Sequence, residues 1–544
     1  MWSRLFGLWI ISLVKETNMR RFHSYGPVDK DIHFAVPRTD LVTDCLNHII
    51  GVPGKSGHYF TIYAPRQTGK TWLMREVKQR IEQDYPGRFI IGTMSMQGVT
   101  MTESDDDSVF FSYIPMLMRR TFKMAISKPD SWMELASYFF KDLSLFSKPV
   151  ILFIDEFDKL HPRIIDRLAN LFRDMYLEQE NYLIHGLALI GVKAVLGVDS
   201  LKGSPFNIQR TLHVPNLTLD EVQNLFDQYQ NESGQLVDTV VLENLYRSTS
   251  GQPGLVGWFG ELLTEKFNPG QHKPIGSDTW EMVYRRALYT EWNNTVLNLI
   301  IKAKGEYRNQ VMALFVKSDI AFTLRAEWCN YLYLNGIIDW AQTDTQGSVR
   351  ETCRFSSPYI QQCLYDALTS ELVGDSLPIL ALEILDDLAD VFEGNLNLPA
   401  LLSRYKAYLV RMKAKGLNPF KDQPRRIDLH YTEAVGHFHL YSWLKEAVGG
   451  RCVVSPEFPT GNGKVDIHLN CNGKRGIIEV KSFINLSETR RALSQAAAYS
   501  AGLRLNSITL VLFVPVEDEA VLAELSVQTR IEDVTVNVVA IGWM

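Results

Sequence analysis

At 544 residues the chain exceeds what one hydrophobic core usually supports, so two to four domains are expected. With 46% hydrophobic and 22% charged residues, and neither a low-complexity tract nor an internal repeat, it is not a disordered, fibrous or solenoid chain. A formal net charge of −6 excludes a uniformly basic surface, so any contact with nucleic acid must use a local patch.

The opening run Leu5–Val14 is apolar, but it is too short to span a bilayer and no small-residue cleavage site follows it. Residues 1–35 are therefore an N-terminal extension, with Met19, ahead of Arg20 and Arg21, as an alternative start. The β-rich segment His58–Ala64 leads into a glycine-containing turn and then a helical pattern from Thr71 through Ile81. Further strands are predicted at Phe89–Thr93, Val150–Ile154 and Leu187–Ile190, with helical stretches between them. That alternation predicts an α/β fold, a parallel sheet covered by helices over residues 36–215.

The turn after the first strand reads Ala64, Pro65, Arg66, Gln67, Thr68, Gly69, Lys70, Thr71. Backbone N–H groups of such a loop, at a helix N-terminus, can cradle the phosphates of a nucleotide. Lys70 would contact the β- and γ-phosphates, Thr71 would ligate Mg²⁺, and Gly69 would let the backbone approach the phosphate oxygens. The usual pattern begins with glycine, so Ala64 in its place requires φ below zero there. The apolar run Val150-Ile-Leu-Phe-Ile154 then delivers Asp155 and Glu156 to one sheet edge. Asp155 would hold Mg²⁺ through water and Glu156 would orient the attacking water for in-line phosphoryl transfer.

With these two motifs the sequence resembles the AAA-like ATPases allied to the archaeal and STAND-type P-loop ATPases, over roughly residues 20–370. Its carriers are Gly26-Pro27, Pro37-Arg38, the loop Ala64–Thr71, Val150–Asp158, the segment Ser204-Pro-Phe-Asn207, and Gly251-Gln-Pro253 opening a lid helix. The resemblance implies ATP and Mg²⁺ as cofactors. No arginine finger identifies itself; Arg66 and Arg210 are the candidates.

Residues 216–291 read as a helical lid, broken at Ser250–Gly254 before an apolar helix from Leu255. Residues 292–370 add helices and a β-like pair, Gly336–Trp340 and Arg350–Phe355, around the turn Thr343–Ser348, a winged-helix-like pattern. A helical connector, 371–427, carries, between Arg404 and Arg426, the cations Arg404, Lys406, Arg411, Lys413, Lys415, Lys421, Arg425 and Arg426 against the single acid Asp422. It is either a nucleic-acid patch or a solvated helix face.

The last domain, 428–544, contains two alternating strands around Asn472-Gly473, the strongest short hairpin signal. With a two-residue loop there, Asp466 stands opposite Glu479, and alternation places Asp466, Glu479 and Lys481 on one face. Opposed carboxylates lie about 4.5–5.5 Å apart at Cβ and repel unless a cation sits between them, for which Mg²⁺ or Mn²⁺ is suited. Lys481 could position the attacking water. This region is similar to the PD-(D/E)xK nuclease superfamily, a small restriction-endonuclease-like α/β domain. The resemblance carries over Asp466, Glu479 and Lys481, and adds Glu433 on the preceding helix and Gln495, beside Tyr499, on the following one. His430, His437 and His439 flank Glu433 and read as surface or structural, since His-x-His on a helix splits the rings between faces.

The six cysteines show no C-x-x-C pair and fit neither a zinc site nor a disulfide framework, which points to a reducing cytoplasm. The sequence therefore predicts an ATP-regulated or ATP-driven nuclease on nucleic acid, DNA ahead of RNA, without a membrane and with room for homo-oligomers. Left open is a nucleotide-switched signalling or scaffold protein whose last domain binds without cutting.

Overall fold

The computed structural model describes residues 19–51, 57–143, 145–191, 210–270, 272–316, 320–345, 348–376, 388–417, 429–449, 451–460, 463–471, 473–483 and 486–543. The chain divides into two compact units. One comprises Met1–Tyr246, Ser250–Ile275 and Tyr333–Gly336; the other comprises Arg247–Thr249, Gly276–Leu332 and Ile337–Met544.

The first unit is built on a five-stranded sheet of β1 (Tyr59–Tyr63), β2 (Ile90–Ser95), β3 (Val150–Asp155), β4 (Ile184–Gly191) and β5 (Arg210–His213). Every neighbouring pair is parallel, in the order β2-β3-β4-β1-β5. The four predicted strands are therefore present, and β5 is an edge strand that the sequence did not announce. Period-two alternation explains why these strands read as continuous apolar runs: Val150, Leu152 and Ile154 enter one core cluster while Ile151 and Phe153 enter another. Both faces are covered by helices, which is what a parallel sheet requires. The helix after β1, α1 (Lys70–Asp84), packs Leu73, Val77 and Ile81 onto one face.

Beyond β5, three helices follow: α2 (Leu219–Ser233), α3 (Thr239–Thr249) and α4 (Pro253–Glu261). A capping box starts α2, where the Thr218 hydroxyl accepts from the Glu221 amide and the Glu221 carboxylate accepts from the Thr218 amide. The predicted break before Leu255 is shorter than expected. Pro253 opens α4, because proline suits the first helical position and the Gln252 side chain accepts the orphan Leu255 N–H.

The second unit contains a two-stranded antiparallel ribbon, β6 (Ile338–Thr345) and β7 (Ser348–Phe355), and a mixed six-stranded sheet. The sheet runs β12-β13-β11-β10-β9-β8, with β8 (Val453–Thr460), β9 (Gly463–Cys471), β10 (Lys474–Ser482), β11 (Ser507–Val514), β12 (Gln528–Ile531) and β13 (Val534–Gly542). Helices α5 (Pro358–Ser376), α6 (Leu398–Ala414), α7 (Leu429–Val448) and α8 (Leu486–Gly502) belong to the same unit. The β9–β10 hairpin has the predicted register: Cys471 faces Lys474 and Ile467 faces Ile478.

The cysteine expectation is corrected here. Cys452 and Cys471 form a disulfide. Val453 pairs with Asn470 on antiparallel strands, so the next positions outward, 452 and 471, face each other across β8 and β9. Such a pairing comes from tertiary register, which the spacing of cysteines does not encode. Cys329 and Cys353 also lie close, with Sγ atoms 3.8 Å apart. Among the described residues no helix is long and apolar enough to cross a membrane.

Candidate nucleotide and metal sites

Because β1 and β3 are parallel with β4 between them, their C-terminal ends open on the same edge, and the loop after β1 faces the acids that end β3. Ala64 is buried and is absent from the described residues with positive φ, as its replacement of glycine requires. Gly69, at φ 96°, takes the left-handed conformation that lets α1 begin at Lys70. Thr68 Oγ1 donates to the Pro65 carbonyl (2.9 Å) and tightens the loop. Lys70 Nζ donates to the carbonyls of Ala64 (2.8 Å) and Pro65 (2.6 Å). Burial pushes the Lys70 ammonium down to about 8, opposed by the charge of Asp155.

Thr71 Oγ1 donates to Asp155 Oδ2 at 3.3 Å, so a helix N-terminus and a strand end bring a hydroxyl and a carboxylate together. Burial raises the Asp155 carboxyl above its ordinary range, against the Glu156 amide that donates to Oδ1 (2.8 Å). Glu156 is left-handed (φ 57°), a conformation that costs a non-glycine residue roughly 1–3 kcal/mol and concentrates at working sites. Its carboxylate meets Lys159 Nζ at 2.6 Å. A hydroxyl, two acids and a buried lysine around a helix N-terminus fit a magnesium–nucleotide complex.

A cavity of about 450 Å³ collects Arg66, Gln67, Gly69, Lys70, Thr71, Asp155 and Glu156. Pro27, Asp158 and Pro253, which the resemblance had singled out, line it too, whereas the sequence reading missed His23, Ser24 and Val28, from a stretch lacking periodicity ahead of the first strand, and Gln97 and Lys159. The loop is stitched to the start of α4: Gly254 N donates to Gln67 O (3.1 Å) and Gln252 Nε2 to Arg66 O (3.2 Å). Of the arginine-finger candidates, Arg66 lines the cavity, while the Arg210 side chain and the segment Ser204–Asn207 lie outside the described residues.

In the second unit, Asp466 and Glu479 occupy the positions just beyond the paired Ile467 and Ile478. Lys481 Nζ lies 3.1 Å from Glu479 Oε1 and 3.7 Å from Asp466 Oδ2. Asp466 Oδ2 also accepts from the Val480 amide (2.6 Å). Glu479 is 2% exposed, and its Oε2 has no hydrogen-bond partner among the described residues. Burial and the neighbouring Asp466 push its carboxyl up to about 8 despite Lys481. An orphaned oxygen on a buried acid beside a second acid fits a divalent cation, which would supply the missing partner. Among the described residues, however, no three His, Cys, Asp or Glu side chains converge as a ready metal group.

Gln495 donates to the Tyr499 hydroxyl on the same helix, α8. Burial is the first cause raising the Tyr499 phenol, and the charges of Glu479 and Asp466 add to it. The side chains of Glu433 and His430 lie outside the described residues. His437 and His439 are buried; the first bonds Tyr365 and the Asp466 carbonyl, the second Tyr405, so the rings diverge as their spacing predicts.

In the basic stretch of the connector Arg404 pairs with Asp390, Lys406 with Glu519 and Lys413 with Glu517, so acids on either side of it offset part of its charge. Lys421, Arg425 and Arg426 lie outside the described residues.

A family model described as the AAA-like domain matches residues 23–294, from the first unit into the start of the second. No curated protein matches the chain. Similar solved structures include a Walker-type ATPase of Pyrococcus abyssi, 14% identical, covering 63% of this chain and 99% of that one, with a TM-score of 0.43. Another is the Orc1 protein of Aeropyrum pernix in complex with DNA, 14% identical, covering 62% and 93%, TM-score 0.32. Cdc6p of Pyrobaculum aerophilum is likewise 14% identical, covering 64% and 97%, TM-score 0.34.

Proposed function

Because the chain belongs to the AAA-like domain family, with a P-loop ATPase domain in its first unit, we propose that ATP binding and hydrolysis there govern metal-dependent cleavage of nucleic acid, DNA first, by the second. At the nucleotide loop the backbone of residues 64–69 and Lys70 bind phosphate, and Thr71 and Asp155 hold Mg²⁺. Glu156 orients the attacking water once its carboxylate leaves Lys159. In residues 428–544, read as a PD-(D/E)xK nuclease-like domain, Asp466 and Glu479 hold Mg²⁺ or Mn²⁺, which lowers the cost of charge developing on the phosphodiester. Lys481 holds the water or offsets that charge, with Glu433 and Gln495 as accessory groups. The winged-helix-like region 292–370 holds backbone phosphates, and the cations of the connector do so where phosphate takes the place of their acid partners.

The observation that carries the cleavage reading is the buried, partly orphaned Glu479 beside Asp466, with Lys481 within reach of both. Linear and circular DNA, incubated with Mg²⁺ or Mn²⁺ and with or without ATP, tests it. Cutting should vanish in Asp466→Ala and Glu479→Ala and change its ATP dependence in Lys70→Ala. Undiminished cutting by both acid variants sinks the assignment. Lys481, within reach of both acids and able to offset their charge without a metal, favours a second reading, a nucleotide-switched scaffold that binds without cutting. No cleavage with intact ATP hydrolysis, and an ATP-dependent increase in size on chromatography, would select it.

A further inference from the structure

We propose that His437, oriented by Tyr365, is a positioning residue that holds the main chain of Asp466 where Asp466 and Glu479 can share one divalent cation. This rests on the cation-binding reading of that acid pair.

Helix α7 carries His437 to β9. At Gly436 a Cβ would come within 2.4 Å of the Phe513 ring, so α7 lies against β11 at a separation only glycine allows. The adjacent His437 places Nε2 3.0 Å from the Asp466 carbonyl oxygen and Nδ1 2.5 Å from Tyr365 Oη. A carbonyl can only accept, so Nε2 carries the proton. In the neutral ring Nδ1 then accepts, and the Tyr365 hydroxyl must donate to it. The chain from tyrosine to imidazole to main-chain carbonyl therefore runs in one sense. Tyr365 and His437 are both buried, which limits competition from water. The tyrosine is fixed in turn, stacked on Phe438 at 5.0 Å and edge-on to Tyr441 at 4.6 Å.

Asp466 is thus gripped twice. Its carboxylate accepts from the Val480 amide of β10, while its carbonyl accepts from His437. The described pairing of β9 with β10 stops at Ile467 and Ile478, so the imidazole anchors the main chain one residue beyond it. A group that orients a metal-binding carboxylate without touching the ion commonly affects metal affinity by about 10–100-fold.

Calorimetric titration of the full-length protein with Mn²⁺ tests the proposal, taking as signal the binding that Glu479→Gln removes. His437→Leu should weaken that binding by about tenfold or more. His437→Gln, whose side-chain amide can still donate to the carbonyl, should restore most of it. ATP binding at the nucleotide loop should be unchanged in both. Equal Mn²⁺ affinity in wild type and His437→Leu overturns the proposal. If His437→Leu fails to fold, Tyr365→Phe decides, since it keeps the ring and deletes the donated proton: weaker Mn²⁺ binding supports the proposal, and wild-type affinity overturns it. Should Glu479→Gln remove no Mn²⁺ binding at all, the acid-pair reading itself fails, separately from any role of His437.

Discussion

Two titrating side chains connect the sites to pH. Lys70, depressed to about 8 by burial, holds its charge best when phosphate is bound. Affinity for ATP should therefore fall as pH rises above about 8, by up to about tenfold per unit, in a fluorescence titration at constant ionic strength. Glu479 behaves oppositely, because its folded value lies above its unfolded one. The protonated, folded form is favoured fully below the unfolded carboxyl value, and that contribution disappears as pH climbs through about 8. In metal-free buffer the melting temperature of the second unit should accordingly decline between about pH 5 and 8, and Glu479→Gln should flatten the decline. A slope unchanged in that variant would place the titration on another group.

Helix ends and strand register are where the sequence spoke most clearly. Thr218 and Glu221 satisfy each other's orphan amides at the start of α2, and Thr218→Ala should cost about 1 kcal/mol by denaturant unfolding. The β9–β10 register, with Cys471 facing Lys474, was legible because Asn-Gly is a strong hairpin signal in sequence, and a one-residue slip would exchange the two faces. The nucleotide loop was legible because phosphate chemistry demands a strand, a loop and a helix in that order. Elements fixed by distant partners stayed hidden. Edge strand β5 is four residues long and exists by pairing with β1. The segment around His23 reaches the cavity without a periodic signature, Cys452 meets Cys471 through the register of β8 on β9, and Glu517 and Glu519 meet α6 through the fold. His437 read as surface or structural by helical geometry, and its bond to the Asp466 carbonyl, made through the fold, was not legible there.

Each unit has its own core, which makes their stabilities separable by calorimetry. Magnesium–ATP should raise the melting of the first unit. A reductant should lower the melting of the second, by destabilising it about 3 kcal/mol given the 19-residue separation of Cys452 and Cys471. A reductant that left both transitions in place would argue against that disulfide in solution. The strand order carries a consequence for synthesis on the ribosome. Tyr59–Tyr63 leaves early, yet both its neighbours come later: Leu187 pairs with Tyr59, and Arg210 pairs with Phe60. Strand β1 therefore waits for more than a hundred further residues before its hydrogen bonds close, and the loop behind it can be shaped only then. A nascent chain stalled before β4 should be unable to retain ATP, whereas one stalled after α4 has emerged should do so.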